Sequence, residues 1–492
     1  MWIKRMLFLV FIISGLQVIN SERVVATEPV NIGSRRELLA DDYLIERMSD
    51  STRLELHHPV RREVVIQFDR PWEGNACGYA TVIQEGDRYR LYYRGSNMQL
   101  TKGKITYTHP EVTCYAESKD GINWVRPDLG IVEYDGSKNN NIIVKLPKAS
   151  HNFSPFLDRN PDCKAAEKFK ALGGGGDGLY TYKSADGIHW SPLSKAAVIR
   201  QGAFDSQNLA FWDASRKCYV EYHRASRKGR DVMSSTSEDF QKWSKPDWLE
   251  YTPDRTTELY TNQIEPYYRA PHFYVGFPTR YVPGRGWYSS INETISKSNR
   301  RCGTDYTDIG FISSRDGENF KVWPEAFLRP GPSPELWMYG FGYTALGMVE
   351  TKSNVPGGPN ELSFYATDAG AWIGKGNSLC RYTLRLDGFV SATAPLSGGE
   401  LTTKPLIFDG AELKINFETS VAGSIQVEIQ DDKGKPVPGF TLAESPSLFG
   451  NSTDYAIEWN SKANLSDLAG KPIRLRFVLK DADLYAFHFD KK

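Results

Sequence analysis

The sequence predicts an all-β protein, a five-bladed β-propeller followed by a C-terminal β-sandwich. Three observations carry this prediction. A seven-residue turn motif occurs four times, a strand rich in aromatic and β-branched residues precedes each copy, and after Pro405 the pattern changes to short alternating strands.

From the N-terminus, residues 1–26 read as a secretory signal peptide. Lys4 and Arg5 precede the apolar run Met6 to Ile13 and the small and polar stretch Ser14 to Ser21, with cleavage expected after Ser21 or Ala26. The run is too short to cross a bilayer, and no later segment approaches the roughly 18 to 20 apolar residues a spanning helix needs. A secreted or periplasmic chain without a membrane span is therefore expected. Residues 27–64 are expected to pack on the propeller, with Asp41 and Asp42 as anchors.

The propeller is expected over residues 65–404. Ser118-Lys119-Asp120-Gly121-Ile122-Asn123-Trp124 recurs as Ser184-Ala185-Asp186-Gly187-Ile188-His189-Trp190 and as Ser314-Arg315-Asp316-Gly317-Glu318-Asn319-Phe320. A looser copy is Ser237-Glu238-Asp239-Phe240-Gln241-Lys242-Trp243. Asp-Gly supplies the positive φ of a tight turn, and the aromatic plugs the gap between neighbouring sheets. The copies start at intervals of 66, 53 and 77 residues, the length of a four-stranded blade with its loops. Strands precede them at Arg88 to Tyr93, Lys168 to Leu172, Lys217 to Tyr222 and His272 to Phe277, and a fifth at Glu361 to Tyr365 leads to Arg381 to Phe389. Two sandwiches with accidental Asp-Gly turns are the bland alternative. Residues 405–492 form the predicted sandwich, with strands at Leu413 to Phe417, Ser424 to Ile429 and Ile473 to Leu479.

Sixty basic residues balance sixty acidic ones, so no global field favours nucleic acid or an anionic membrane. Twelve Trp and 26 Tyr suit strands and also the apolar face of a pyranose. The six cysteines have disulfides open to them in an oxidising compartment, with fifteen possible connectivities. No C-x-x-C pair or Cys/His cluster marks a metal site, although calcium would leave no such signature, and no cofactor or metal is expected. The oligomeric state is not encoded in any pattern found.

The stretches LLADDYLIE from Leu38, NFSPFLDRNP from Asn152, FDSQNLAFWD from Phe204 and RYTLRLDGFVS from Arg381 resemble bacterial secreted proteins classed as predicted glycosidases. The layout is similar to that of the five-bladed propeller glycosidases, glycoside hydrolase families 32 and 43. That resemblance implies a carbohydrate substrate and three carboxylates on inner strands around a pocket at the channel mouth. Cleavage needs an acid for the leaving oxygen and an opposed carboxylate. The W-x-N-D-P-N, R-D-P and E-C signatures of family 32 are absent, so no family residue transfers directly.

Candidates are then the carboxylates that open each innermost strand. Asp205, Glu73 and Glu265 are the expected catalytic set, meeting in one pocket, with Asp205 as general acid or essential ligand. Asn152, Asp158, Gln207, Asn208, Arg269, His272 and Trp337 are the expected substrate-binding residues, and Glu335 the carboxylate of the fifth unit. Aspartates 120, 186 and 316 are turn formers. Two other readings fit the same residues: a non-catalytic carbohydrate-binding propeller, and a sialidase-like six-bladed enzyme. The latter needs three arginines converging on a carboxylate, for which Arg94, Arg224, Arg269 and Arg280 are available.

Overall fold

A computed structural model of the chain describes residues 28–146, 149–368, 372, 376–460 and 464–491, so the expected signal peptide lies outside the described residues. The molecule is mostly β, in a propeller-like arrangement. Between Val60 and Arg385 the strands fall into sheets that follow one another along the chain. The first runs outward from Gly78–Glu85 through Arg88–Gly95 and Val112–Ser118 to Trp124–Val125. The second contains Ser154–Leu157, Phe169–Gly175, Gly178–Ser184 and Ser191–Pro192, and the third Leu209–Asp213, Cys218–Ser226, Arg230–Ser237 and Asp247–Trp248. The fourth is built on Glu265–Tyr267, Ala270–Gly276, Tyr306–Ser314 and Asn319–Leu328. The fifth contains Val349–Thr351, Glu361–Thr367 and Ser378–Arg385, and its outermost strand is Val60–Gln67 from the other end of the chain.

Contacts pass from each sheet to the next and return to the first. Arg90 of the first sheet donates to the Asp186 carbonyl of the second at 2.8 Å, and Asn160 beyond the second sheet's first strand donates to Tyr219 of the third at 3.2 Å. Tyr222 of the third donates to the Gly317 carbonyl of the fourth at 2.7 Å. Phe277 packs against Phe364 of the fifth with ring centroids 5.0 Å apart, and Tyr365 of the fifth donates to the Gly121 carbonyl of the first.

The repeated motif joins the third and fourth strands of the first four sheets. In each, the Asp carboxylate accepts the two backbone N–H groups that follow, as Asp120 does from Ile122 and Asn123 at 2.8 Å, so these aspartates are turn formers. Gly121, Gly187 and Gly317 have φ of +73°, +78° and +76°, and a Cβ there would lie 3.0, 2.6 and 2.8 Å from the hydroxyls of Tyr365, Tyr92 and Tyr222. The neighbouring sheet's tyrosine therefore occupies the space that glycine leaves. In the looser copy Phe240 takes the positive φ instead, +62°, and packs in one apolar cluster with Leu172 of the second sheet.

Residues 30–56 do not merely lie against the ring. Val30–Gly33, Glu37–Leu38, Ile45–Met48 and Arg53–Leu56 join a ten-stranded sheet with Val390–Ala394, Gly399–Thr403, Leu406–Phe408, Asn451–Ala456 and two long strands, Glu412–Asp431 and Ile473–Asp490. The long strands pair along most of their length and close on a core that includes Phe417, Val427, Trp459 and Phe477. Asp41 bonds Arg315, at the turn after the fourth sheet's third strand, at 2.6 Å. Among the described residues the one pronounced helical feature is the pair Ser290–Ser298 and Arg300–Thr304, inserted between Val282 and Tyr306. Asn292 caps its first turn by accepting from the Ser289 N–H at 3.0 Å, and Asn299 caps the second helix by accepting from Cys302 N–H at 3.3 Å. All six cysteines are unpaired.

Candidate active site

The innermost strands run in one direction, so the residues that precede them collect at one end of the ring. There a cavity of about 150 Å³ is lined by Asn75, Tyr79, Arg94, His151, Asp205, Tyr260, Arg301, Tyr339, Tyr343 and Trp372, among others. Antiparallel pairing adds the last residues of the second strands, Arg94 and Arg224, and Glu111, just before the first sheet's third strand.

His151 is the centre of the charged wall. Its Nδ1 is 2.8 Å from Glu111 Oε2 and its Nε2 is 3.1 Å from Asp205 Oδ1, so acceptors on both sides favour a proton on each nitrogen. Burial alone depresses this histidine, but the hydrogen bonds to Asp205 and Glu111 outweigh it and its pKa is raised. Asp205 is held well below the usual carboxylate range, chiefly by the His151 hydrogen bond and further by Arg224 and Arg94, against a burial effect of opposite sign. Its carboxylate is 66% exposed to the cavity, which makes it an ionised group with a free approach. Glu111 is lowered too: burial raises it, and the His151 hydrogen bond and Arg94 prevail.

The arginines are fixed from behind. Arg94 Nη2 donates to the Ala76 carbonyl at 3.0 Å and its guanidinium lies 4.5 Å over the Tyr79 ring. Arg224 Nε donates to the Ala203 carbonyl at 2.9 Å, lies 4.7 Å over Tyr260, and places Nη2 3.8 Å from Asp205. Hydroxyls complete the wall. Tyr260 donates to Asp205 Oδ2 at 3.4 Å, Tyr339 donates to the Tyr260 oxygen at 3.2 Å, and Trp372 lies parallel to Tyr339 with centroids 6.0 Å apart. Burial pushes the Tyr79, Tyr339 and Tyr343 phenols up, so they stay neutral donors. Among the described residues no group of three or more His, Cys, Asp or Glu side chains is placed to hold a metal, and no helix is long and apolar enough to cross a membrane.

The three expected carboxylates do not share this cavity. Asp205 lines it. Glu73 is fully buried behind it, accepting from Tyr93 at 2.6 Å, Arg126 at 2.8 Å and the Arg70 N–H at 3.0 Å. Gly74, at φ +143°, turns the chain after Glu73, and only Asn75 onward reaches the cavity. Glu265 lies deeper, on a second cavity of about 900 Å³ at the other end of the channel, beside Pro266, Tyr268 and Met348. The fourth inner segment already enters the ring at Tyr260, so the start of its paired strand is not the start of its path through the channel. Burial raises Glu265 to about 7 although the Met348 and Gly347 N–H groups favour its charge.

Most of the expected binding residues tie sheets together instead. Gln207 lies between the two cavities, donating to the Ala80 carbonyl at 2.9 Å and to Thr81 Oγ1 at 3.1 Å and accepting from Gln263 at 2.8 Å. It spans the channel between inner segments of the first, third and fourth sheets. Asn152 donates to the Phe204 carbonyl at 2.7 Å and accepts from Gly174 N–H at 2.9 Å, while Asn208 donates to the Phe204 and Ser206 carbonyls at 3.0 Å. Asp158 pairs with Lys170 and accepts from Tyr219 at 2.8 Å. Arg269 pairs with Asp387 at 2.8 Å and His272 lies 3.4 Å from Glu37, both where the ring meets the ten-stranded sheet. Arg280 is engaged by Asp308 at 2.7 Å. Trp337, two residues before Tyr339, does not line the cavity and stacks on Tyr288 at 4.9 Å. Glu335 lies in the short 3₁₀ turn Pro334–Leu336 ahead of it. Sequence reasoning missed Glu111, Arg301, Tyr79, Tyr260 and Trp372 as parts of the site. The signal that finds Arg94, Arg224 and Glu111 is their place at the ends of the second strands and the start of a third.

No family model matches the chain. An uncharacterized protein of Mycobacterium tuberculosis strain H37Rv is 32% identical over 126 residues, covering 24% of this chain and 35% of that protein. The chain thus spans about a third of the length of the curated relatives it matches. Among solved structures it is similar to an N-acetylgalactosamine deacetylase from F. plautii in complex with blood group B trisaccharide, at 14% identity and TM-score 0.42 over 67% of this chain and 96% of that one. It is also similar to a β-1,2-mannobiose phosphorylase from Listeria innocua in complex with β-1,2-mannobiose, at 10% identity and TM-score 0.42 over 67% and 97%. A thermostable family-43 glycoside hydrolase is 12% identical, with TM-score 0.38 over 67% and 97%.

Proposed function

We propose that this chain is an exported glycoside-processing enzyme. The sheets between Val60 and Arg385 are read as the five blades of its propeller and the ten-stranded sheet as its terminal sandwich. The observation that carries the reading is the cavity at the channel mouth, where the ionised Asp205 carboxylate faces open space between neutral tyrosines. Such a wall suits a sugar, whose hydroxyls take the phenols and arginines and whose C–H face takes Tyr339 and Trp372. The signal-like segment around Met6 to Ile13 supports export.

Held in its ionised form, Asp205 serves as the base or nucleophile and not as the acid. His151, 3.1 Å from Asp205 and 2.8 Å from Glu111, lies on the same face as Asp205 and holds that carboxylate ionised. In hydrolysis the anomeric C–O bond breaks, the leaving oxygen takes a proton from solvent, and water adds its oxygen to the anomeric carbon and yields a proton to Asp205. Trp337, stacked on Tyr288, offers an aromatic surface for the adjoining ring.

Incubation of the purified protein with aryl glycosides and oligosaccharides, with and without phosphate, tests the reading. Turnover is expected to fall by roughly 10²–10⁴-fold in Asp205→Asn. Near-normal turnover in that variant, or turnover in none of the substrates, removes the enzyme reading. A second reading, a carbohydrate-binding propeller, is favoured by one observation: both carboxylates on the His151 wall have lowered pKa values, so neither is a neutral acid. Sugar binding without turnover would select it.

A further inference from the structure

The cavity's cations are not all balanced. Arg94 and Arg224 have Glu111 and Asp205 within 4 Å, but among the described residues no carboxylate lies at ion-pair distance from Arg301. Arg301 comes from the inserted helix Arg300–Thr304, whose second residue reaches the cavity wall. Two phenols hold it in place: Nε donates to the Tyr281 oxygen at 3.2 Å and Nη2 to the Tyr339 oxygen at 2.8 Å. Its guanidinium lies 4.5 Å over the Tyr339 ring, which fixes the plane, and Nη1 has no hydrogen-bond partner among the described residues. Tyr281 in turn bonds Asp305, so that carboxylate acts on Arg301 through a hydroxyl.

This cation has a defined position relative to Asp205. Arg301 bonds Tyr339, Tyr339 bonds Tyr260, and Tyr260 bonds Asp205 at 2.8, 3.2 and 3.4 Å. Three hydrogen-bond links separate the guanidinium from the carboxylate, which puts them within roughly 9 Å. A sugar with its anomeric carbon at Asp205 carries a C6 carboxylate or sulfate within that reach. A planar fork with a free edge is the protein's usual partner for a carboxylate or sulfate.

We propose that Arg301 binds an acidic group borne by the sugar, so that the substrate of this site is a uronic-acid- or sulfate-bearing saccharide. The proposal rests on the glycoside-processing reading of the cavity and specifies its substrate class.

Calorimetric titration of the intact protein provides the test. The probes are the methyl glycosides of glucuronic, galacturonic and mannuronic acid, their three neutral parents, the matching 6-sulfates, and inorganic phosphate. At least one acidic sugar is expected to bind tenfold or more tighter than its neutral parent. Arg301→Gln should abolish that preference, and Arg301→Lys, which keeps the charge without the fork, should retain part of it, with the circular dichroism spectrum unchanged in both. Whether the uronates or the sulfates prevail tells which acid is carried. The proposal is overturned if no pair prefers the acid, if nothing binds, if the preference survives Arg301→Gln, or if phosphate alone binds while the acidic sugars do not. Asp205-dependent turnover of neutral glycosides without any acid preference would leave the glycoside reading standing and this one refuted.

Discussion

Two half-buried ionisable side chains of the ring show how local surroundings drive protonation in different ways. His151 gains two carboxylate partners, so its proton is held more tightly in the folded chain than in the unfolded one. Its stabilising contribution is complete below the ordinary histidine range and is lost as pH rises through the raised folded value. If Asp205 and His151 work together, activity should decline on the alkaline side above the usual histidine pKa. The acid limb should lie below the usual carboxylate range, because Asp205 is depressed. A pH–rate profile with both limbs inside the ordinary Glu and His ranges would contradict the pairing. Glu265 has no cationic partner among the described residues, and burial against the channel wall raises it from 4.5 to about 7. Between those values the folded chain holds a proton the unfolded chain has lost, so stability should fall as pH rises across that window. Because Glu265 borders a wide cavity, the cost is discounted from the full shift to about 1–3 kcal/mol. Glu265→Gln should therefore raise the melting temperature at pH 8 and leave it nearly unchanged at pH 4, which thermal denaturation at the two pH values checks.

At the scale of strands and turns, the repeated motif was legible because its chemistry is local: Ser, Asp and Gly satisfy their own turn within a few residues. Its partner was not legible, since it lies in another sheet. Ladder register pairs Ser118 with Tyr89, Ser184 with Phe169 and Ser237 with Tyr219, and three residues beyond these stand Tyr92, Leu172 and Tyr222. Tyr92 and Tyr222 each face a glycine of the next motif, whereas Leu172 shares its cluster with Phe240. Large meets small in three interfaces, counting Tyr365 against Gly121, and in the fourth a medium side chain shares its cluster with a large one. Phe240→Gly should cost about 2–4 kcal/mol, less than the usual Phe truncation because glycine relieves the positive φ. Leu172→Tyr alone should cost about 1–3 kcal/mol by overpacking. The double variant should recover much of both, with a coupling of about 1–3 kcal/mol in denaturant titrations. Simple additivity would show that the two positions do not exchange volume. The same dependence on register hid the site. Asp205 was readable as a polar start before an apolar strand, but Arg94 and Glu111 converge with it only through antiparallel pairing, and Glu265 was misplaced because its segment enters the channel before its ladder begins.

For the whole molecule, the decisive element is the stretch from Val30 to Gln67, which supplies strands first to the ten-stranded sheet and then to the fifth sheet of the ring. Ile32, Leu39 and Leu44 sit in the same core as Trp459 and Phe477, so the C-terminal segment from 405 lacks part of its own interior when taken alone. The composition change at Pro405 marks a change of strand pattern, not the edge of an independent core, which already includes Ala392 and Leu401. Between the two layers lies Asp387, fully buried at its side chain. It pairs with Arg36 at 3.2 Å and Arg269 at 2.8 Å, and accepts from Tyr267 at 2.9 Å and Asn416 at 3.0 Å. Those partners come from the N-terminal segment, the fourth sheet and the terminal sheet, so one carboxylate joins three parts of the chain. Replacing it leaves Arg269 and Arg36 without this counter-ion, a loss of about 3–5 kcal/mol for a buried pair. If the ring and the terminal sheet are one cooperative unit, calorimetry of the intact protein should show a single transition. Asp387→Ala should move that transition down as a whole. Two separated peaks in the variant, one at the original temperature, would mean that the terminal sheet unfolds on its own and that the shared N-terminal strands do not couple it to the ring.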